Sequence, residues 1–245
     1  MRKEILNNFY NHINYKSSSI LMNQDLLAIF IGNNSKNLLG CENDAKLFYN
    51  LEFITNKYLL LDDDVTIENL EIIFKNNQNI KNLLFFYSGH GFFGGNLLFN
   101  ENNNLKMFKK IRLLKPIFFY ELINKYFLNE INLFIILDCC FAGSFPHLSN
   151  FQKIKNTTII ASCSELENSS ESLADYNIND FPIINPDIII NHKSKNIIIG
   201  AFTYNFIKLI KQKKIIDINK WRHIENEKIW ETLKIIINQQ ITIIS

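Results

Sequence analysis

Residues 131–144, Ile-Asn-Leu-Phe-Ile-Ile-Leu-Asp-Cys-Cys-Phe-Ala-Gly-Ser, constrain the fold more than any other stretch of the chain. The apolar run is too short for an ordinary helix, and it ends at once in a carboxylate, two thiols and a glycine. Such a run reads as a strand buried on both faces that delivers polar side chains at its carboxyl end. In open α/β sheets, ligands bind beyond that edge. Residues 82–91 repeat the pattern and close on His90 between Gly89 and Gly91. A thiol and an imidazole, each at the end of a buried strand, make a cysteine-nucleophile enzyme the first functional expectation.

The rest of the chain alternates in the way a parallel sheet requires. Residues 1–24 are polar and read as an extension with a short helix. Residues 25–32 form the first buried strand, followed by a polar loop and a helical pattern over 41–56. A short strand over 58–61 stops at Asp62, Asp63 and Asp64. Thr66 is placed to cap a helix running to Lys75. Residues 94–112 read as a hairpin excursion, and Pro116 opens a helix to about residue 128. A strand over 156–162, a helix over 200–210, a last helix over 225–238 and a closing strand over 241–244 follow. Strand–helix alternation predicts one α/β domain over 25–245 around a mainly parallel sheet of about six strands. Residues 163–196, rich in Ser, Glu and Asn with Pro182 and Pro186, read as a mobile loop. That loop divides a larger segment, to about residue 165, from a smaller one over 197–245.

Composition excludes several other classes. Of 245 residues, 47% are hydrophobic and 20% charged, which is enough for a globular core and far from disorder. A net charge of +2 without a dense Lys/Arg block points away from nucleic acid. No apolar run approaches the roughly 18 residues of a membrane span, and the basic N-terminus lacks a signal-peptide core. The four cysteines, two of them adjacent, show no disulfide framework and no C-x-x-C metal pair. Reduced thiols in a cytoplasmic setting are the expectation.

Cys140 sits where the strand breaks into a turn, so it is the candidate nucleophile. Cys139 points to the opposite face and reads as a small buried hydrophobe, as do Cys41 and Cys163. Of five histidines, His12 and His192 lie in polar segments and His223 near the C-terminal surface, while His147 follows Cys140 by seven residues. His90 is the strongest partner because its flanking glycines leave space and backbone freedom.

Tyr87-Ser88-Gly89-His90-Gly91 and Asp138-Cys139-Cys140-Phe141-Ala142-Gly143 resemble the catalytic blocks of metacaspases, which are caspase-fold cysteine peptidases. The spacing of roughly fifty residues from histidine to cysteine agrees with the caspase-type arrangement. Gly40-Cys41-Glu42-Asn43-Asp44-Ala45, Ala161-Ser162-Cys163 and Gly200-Ala201-Phe202-Thr203 add further similar blocks in the expected order. The resemblance covers about residues 25–212. It implies Cys140 as nucleophile, His90 as proton-transfer partner and the backbone N–H groups of Gly91 and Cys140 as oxyanion hole, with no third triad member.

It also implies an S1 pocket from Asp44, Ser88 and Asp138. Two carboxylates in a partly desolvated pocket pair with Arg or Lys and repel an acidic side chain, so cleavage after basic residues is expected. For Asp44 the alternative is a carboxylate that satisfies backbone N–H groups at a helix start. Phe141-Ala142 depart from the family's usual His-Ser. Calcium, which many metacaspases use, wants several carboxylate oxygens. Here residues 100–104 are Asn-Glu-Asn-Asn-Asn and His147 replaces an expected acid. No required cofactor, no metal site and little calcium dependence are therefore expected. Protein or peptide substrates are the only partners implied, and a monomer is expected. Lys193 and Lys195 make the 163–196 loop a candidate for self-cleavage. A catalytically silent caspase-fold scaffold is the alternative; a phosphate-binding enzyme has no glycine motif to support it.

Overall fold

A computed structural model describes residues 25–35, 38–100, 111–127, 131–146, 151, 154, 156–175, 196–212 and 242–244. The expected N-terminal helix, the last helix over 225–238, residues 176–195 with Lys193 and Lys195, and His12, His147, His192 and His223 lie outside them.

The buried runs become the strands of a parallel sheet: β1 (Leu26–Gly32), β2 (Lys57–Leu61), β3 (Asn82–Ser88), β7 (Asn132–Asp138) and β8 (Thr157–Ala161). A short strand β11 (Thr242–Ile244) adds antiparallel to β8, and the order across the sheet is β11-β8-β7-β3-β1-β2. Side chains alternate between two cores, as a period of two demands. Leu27, Ile29 and Ile31 of β1, Leu83, Phe85 and Tyr87 of β3, and Leu133, Ile135 and Leu137 of β7 face one core. Ala28, Phe30, Leu84, Phe86, Phe134 and Ile136 face the other.

Helix α1 (Cys41–Tyr49) and helix α4 (Ala201–Gln212) cover that second face through Phe48, Phe202 and Phe206. Helices α2 (Ile67–Asn76) and α3 (Pro116–Phe127) cover the first, through Leu70, Phe74, Phe119 and Phe127. Thr66 caps α2 by accepting from the Asn69 N–H at 3.1 Å. Helix α1 is shorter than its apolar spacing predicts. Lys57 Nζ donates to the Tyr49 carbonyl at 2.5 Å, and the Leu51 N–H closes a tight turn on Phe48, so the chain leaves the helix there.

The excursion after β3 is a small antiparallel sheet of β4 (Gly91–Phe92), β5 (Asn96–Asn100) and β6 (Ile111–Leu114). A larger difference concerns the expected mobile loop. Its first part, 163–175, is built in: Cys163 is fully buried, and β9 (Glu171–Asp175) pairs antiparallel with β10 (Asn196–Gly200). Within it, Ser169 and Glu171 supply hydrogen bonds at the sheet edge.

Candidate active site

Register places the polar edge. Ser88, the last residue of β3, pairs with Asp138, the last of β7, and with Gly32, the last of β1. Their parity directs Ser88 and Asp138 toward the face that α1 and α4 cover. Gly32 is where α1 crosses the sheet end. A Cβ there would meet the Cys41 carbonyl and lie 2.8 Å from Glu42 Cα, so only glycine lets α1 start so close.

Two buried carboxylates converge at this edge on the N-terminus of α4. Asp44, 1% exposed, accepts from Ser88 Oγ at 2.7 Å and from the Gly200 N–H at 2.8 Å. Asp138, 5% exposed, accepts from the Thr203 N–H at 3.1 Å, Thr203 Oγ1 at 2.7 Å and Ser169 Oγ at 2.5 Å. Gly200 touches both: a Cβ would lie 2.8 Å from Asp44 Oδ2 and would collide with Asp138 Oδ2. The helix terminus supplies partial positive charge as well as donors, which lets a dry site hold two acids. Even so, burial, and then the Asp138 charge, push the Asp44 carboxyl well above the ordinary aspartate range against the Ser88 and Gly200 donors. Burial raises Asp138 too, against its hydroxyl donors.

A cleft outside this edge is lined by Asp44, Ser88, His90, Asp138, Cys140 and Glu171, with Cys41 and Gly200 among its other walls. The structure thus brings together every side chain that the sequence singled out for catalysis and substrate recognition. It also adds residues that sequence reasoning missed. Glu171 at the start of β9 accepts from the Gly40 N–H at 2.6 Å and from the Leu39 N–H at 3.1 Å, fixing the loop before α1. Ser169 and Thr203 hold Asp138. Cys41, read as a packing residue, is buried but forms part of the cleft wall. Burial, then the Asp44 charge, raises its thiol strongly and leaves it a poor nucleophile. The signal available for Glu171 was only its place in a polar cluster, which the sequence pattern could not separate from loop.

His90 is held through its backbone. The Tyr87 hydroxyl, fully buried, lies 3.0 Å from both the His90 and Leu98 carbonyls, and the Leu98 N–H donates to the His90 carbonyl at 3.0 Å. Buried Asn33 Nδ2 donates to the same Leu98 carbonyl at 3.0 Å, while the Asn33 N–H reaches the Ser88 carbonyl at 2.9 Å. Gly91, named for the oxyanion hole, packs directly on the turn at Cys140. A Cβ would strike the Cys140 carbonyl and lie 3.0 Å from Cys139 Sγ.

Cys140 itself is half-buried, and its neighbours are braced from below. The Phe141 N–H donates to the Glu167 carbonyl at 2.8 Å, and Ser144 Oγ donates to the Glu165 carbonyl at 3.2 Å. Cys163 Sγ contacts the Cys139 carbonyl at 3.2 Å, and burial pushes its thiol up to about 11. Cys139 is buried, and its thiol is raised well above the ordinary range by burial and then by the Cys163 thiol beside it. Among the described cysteines, Cys140 is the most exposed to the cleft. Among the described residues, no helix is long and apolar enough to cross a membrane.

A family model described as the caspase domain of the C14 peptidases matches residues 25–222. Among solved structures, the chain is similar to the crystal structure of protein GSU0716 from Geobacter sulfurreducens. Identity is 13%, over 77% of this chain and 83% of that one, with a TM-score of 0.47. No curated protein matches the chain. With four-fifths of its length inside the matched range and the strand-end cysteine and histidine on one cleft, the chain belongs to the caspase-domain family of cysteine peptidases.

Proposed function

We propose that the chain is a metacaspase-type endopeptidase that cleaves after Arg or Lys, with Cys140 as nucleophile and His90 as its proton-transfer partner. The observation that carries this reading is the single cleft that Cys140 and His90 share with Asp44 and Asp138. The Cys140 thiolate attacks the scissile carbonyl carbon, forming a C–S bond while negative charge gathers on the oxygen. The N–H groups of Gly91 and Cys140 stabilise that charge. The C–N bond then breaks as the His90 imidazolium gives its proton to the leaving amine. Water, losing a proton to the imidazole, attacks the thioester and releases the acid and the thiol. A basic P1 side chain entering the acidic pocket displaces cleft water and pairs with the carboxylates. Its charge lowers their pKa values, so binding releases protons and strengthens as pH rises.

Three fluorogenic peptides that differ only in Arg, Lys or Asp at P1 test the reading on wild type, Cys140→Ala and His90→Ala. Arg and Lys peptides should be turned over by wild type and lose activity by about a thousandfold or more in either variant. Turnover of the Asp peptide alone would sink the pocket assignment. Activity should persist in chelator, because residues 100–104 and His147 offer few hard oxygen ligands. Self-cleavage at Lys193 or Lys195 is read from whether wild type, unlike Cys140→Ala, resolves into two fragments.

One observation favours a second reading, a caspase-fold scaffold without peptidase activity. Asp44 and Asp138 already have work as docking points for α4, through Gly200 and Thr203. Their presence would then need no substrate. The same P1-Arg assay separates the two.

A further inference from the structure

We infer that Phe93 and Phe141 form an apolar subsite for the substrate residue immediately after the cut, so that this enzyme prefers a large apolar P1′ residue. The inference rests on the peptidase reading above and assigns it a second specificity element.

The two rings meet edge to face with centroids 6.4 Å apart. Each belongs to a segment that carries a reacting group. Phe141 follows Cys140 directly, and Phe93 follows His90 by three residues. Neither ring lines the acidic cleft. Phe93 is 74% exposed, although the backbone that carries it is tied down. It starts the three-residue turn 93–95 between β4 and β5, where Gly94 and Gly95 have φ of +81° and +66°. Asn96 Nδ2 ties down the Phe93 carbonyl at 2.8 Å, and Gly95 packs 2.5 Å from Phe145 Cα by its absent Cβ. The hairpin is thus pinned to the turn after the nucleophile.

Phe141 is held in the left-handed region, φ +56° and ψ +22°. A bulky residue there is strained by about 1–2 kcal/mol. The Glu167 carbonyl on its N–H and the 3-10 turn Ala142–Ser144 after it keep it so. The ring meets the hairpin at Phe93 and is not part of the acidic cleft's lining.

The side of the cut follows from the chemistry. The acidic pocket takes the residue whose carbonyl is attacked. The leaving amine departs toward the imidazole that protonates it, and so toward the hairpin His90 begins. The side chain next to that amine therefore meets Phe93 and Phe141, where an apolar group covers aromatic surface that otherwise stays wet.

The test uses internally quenched peptides with P1 fixed as Arg and P1′ set to Leu, Phe, Gly or Asp, and a parallel set varied at P2. Wild type should cleave the Leu and Phe peptides with kcat/KM about tenfold above the Gly peptide. Phe93→Ser, at an exposed turn tip, and Phe141→Gly, which relieves the strained φ, should each bring that ratio toward one while preference for Arg over Asp at P1 persists. A wild type indifferent to P1′, or variants that keep the preference, overturns the inference and leaves the peptidase reading standing. Variants that shift P2 preference instead place the rings on the acyl side and overturn it equally. Failure of wild type to cleave any peptide overturns both.

Discussion

The two sides of Cys140 are built on opposite principles. On one side, Asp44 and Asp138 are buried carboxyl groups, each held by at least two donors and wedged against Gly200. On the other, Phe93 and Phe141 are apolar rings left in or near solvent on a hairpin and a strained turn. A buried acid needs fixed donors in place before any substrate arrives, since an unpartnered one would neutralise or misfold the edge. An apolar rim needs only a rigid backbone. Under the proposed function, specificity by charge would be wired into the sheet and α4, whereas specificity by contact area would sit on exposed positions that can change without cost to the core.

That asymmetry is sharpest at Gly200. Gly200→Ala would force a Cβ into both carboxylates, neither of which can retreat without losing its donors. A loss of about 3 kcal/mol is expected, or about 10 °C in Tm. Phe93→Ser should leave Tm within a degree or two. Thermal unfolding of the two variants side by side breaks the comparison if their effects are equal.

Asp44→Asn separates function from stability. Burial and the Asp138 charge keep Asp44 protonated to higher pH than the ordinary value of 3.8. Above that value the folded chain binds more protons than the unfolded one. Native stability thus falls as pH rises from about 3.8 through the raised value. The near-isosteric amide can still accept from the Gly200 N–H and removes this dependence. Tm of the variant should match wild type near pH 4 and exceed it by a few degrees near pH 8. Turnover of the P1-Arg peptide should meanwhile drop by about fiftyfold, the worth of one charge-assisted contact. A variant that is less stable at pH 8 than at pH 4, relative to wild type, would show that Asp44 is ionised and net stabilising.

The parts of this edge that the sequence made legible are those carried by single strands. β3 and β7 announce themselves as unbroken apolar runs, and His90 and Cys140 stand at their ends, so position alone marks them. Ser88 and Asp138 were named through the family resemblance, and the register of β3 on β7 sets them side by side. Glu171 and Ser169 were hidden because they come from a polar segment whose composition matches a loop. Only the pairing of β9 with β10 brings that segment to the edge. The convergence on Gly200 was hidden as well, since it joins Asp44 to a residue 156 positions away. Phe141 was legible as a departure from the family pattern, but its left-handed φ and its contact with Phe93 depend on Glu167 and the hairpin turn. Local pattern reveals what a strand delivers; long-range hydrogen bonds decide what it meets.

The smallest expected effect tests whether the imidazole side shares the rigidity of the acidic side. The Tyr87 hydroxyl has one proton for the His90 and Leu98 carbonyls and accepts from the Leu98 N–H at 3.1 Å, yet each carbonyl keeps another donor, the Leu98 N–H and Asn33 Nδ2 respectively. Tyr87→Phe therefore removes one support from a network with redundancy, at about 1 kcal/mol in stability. The ring stays packed against Phe99, with centroids 6.0 Å apart. Since the role proposed for His90 is proton transfer and not binding of the P1 side chain, the variant should lower kcat by about threefold with KM unchanged. Its preferences at P1 and P1′ should also be unaltered. A rise in KM with kcat intact would mean that the Tyr87 network shapes the acidic pocket through Ser88, and the two sides of Cys140 would then share one frame.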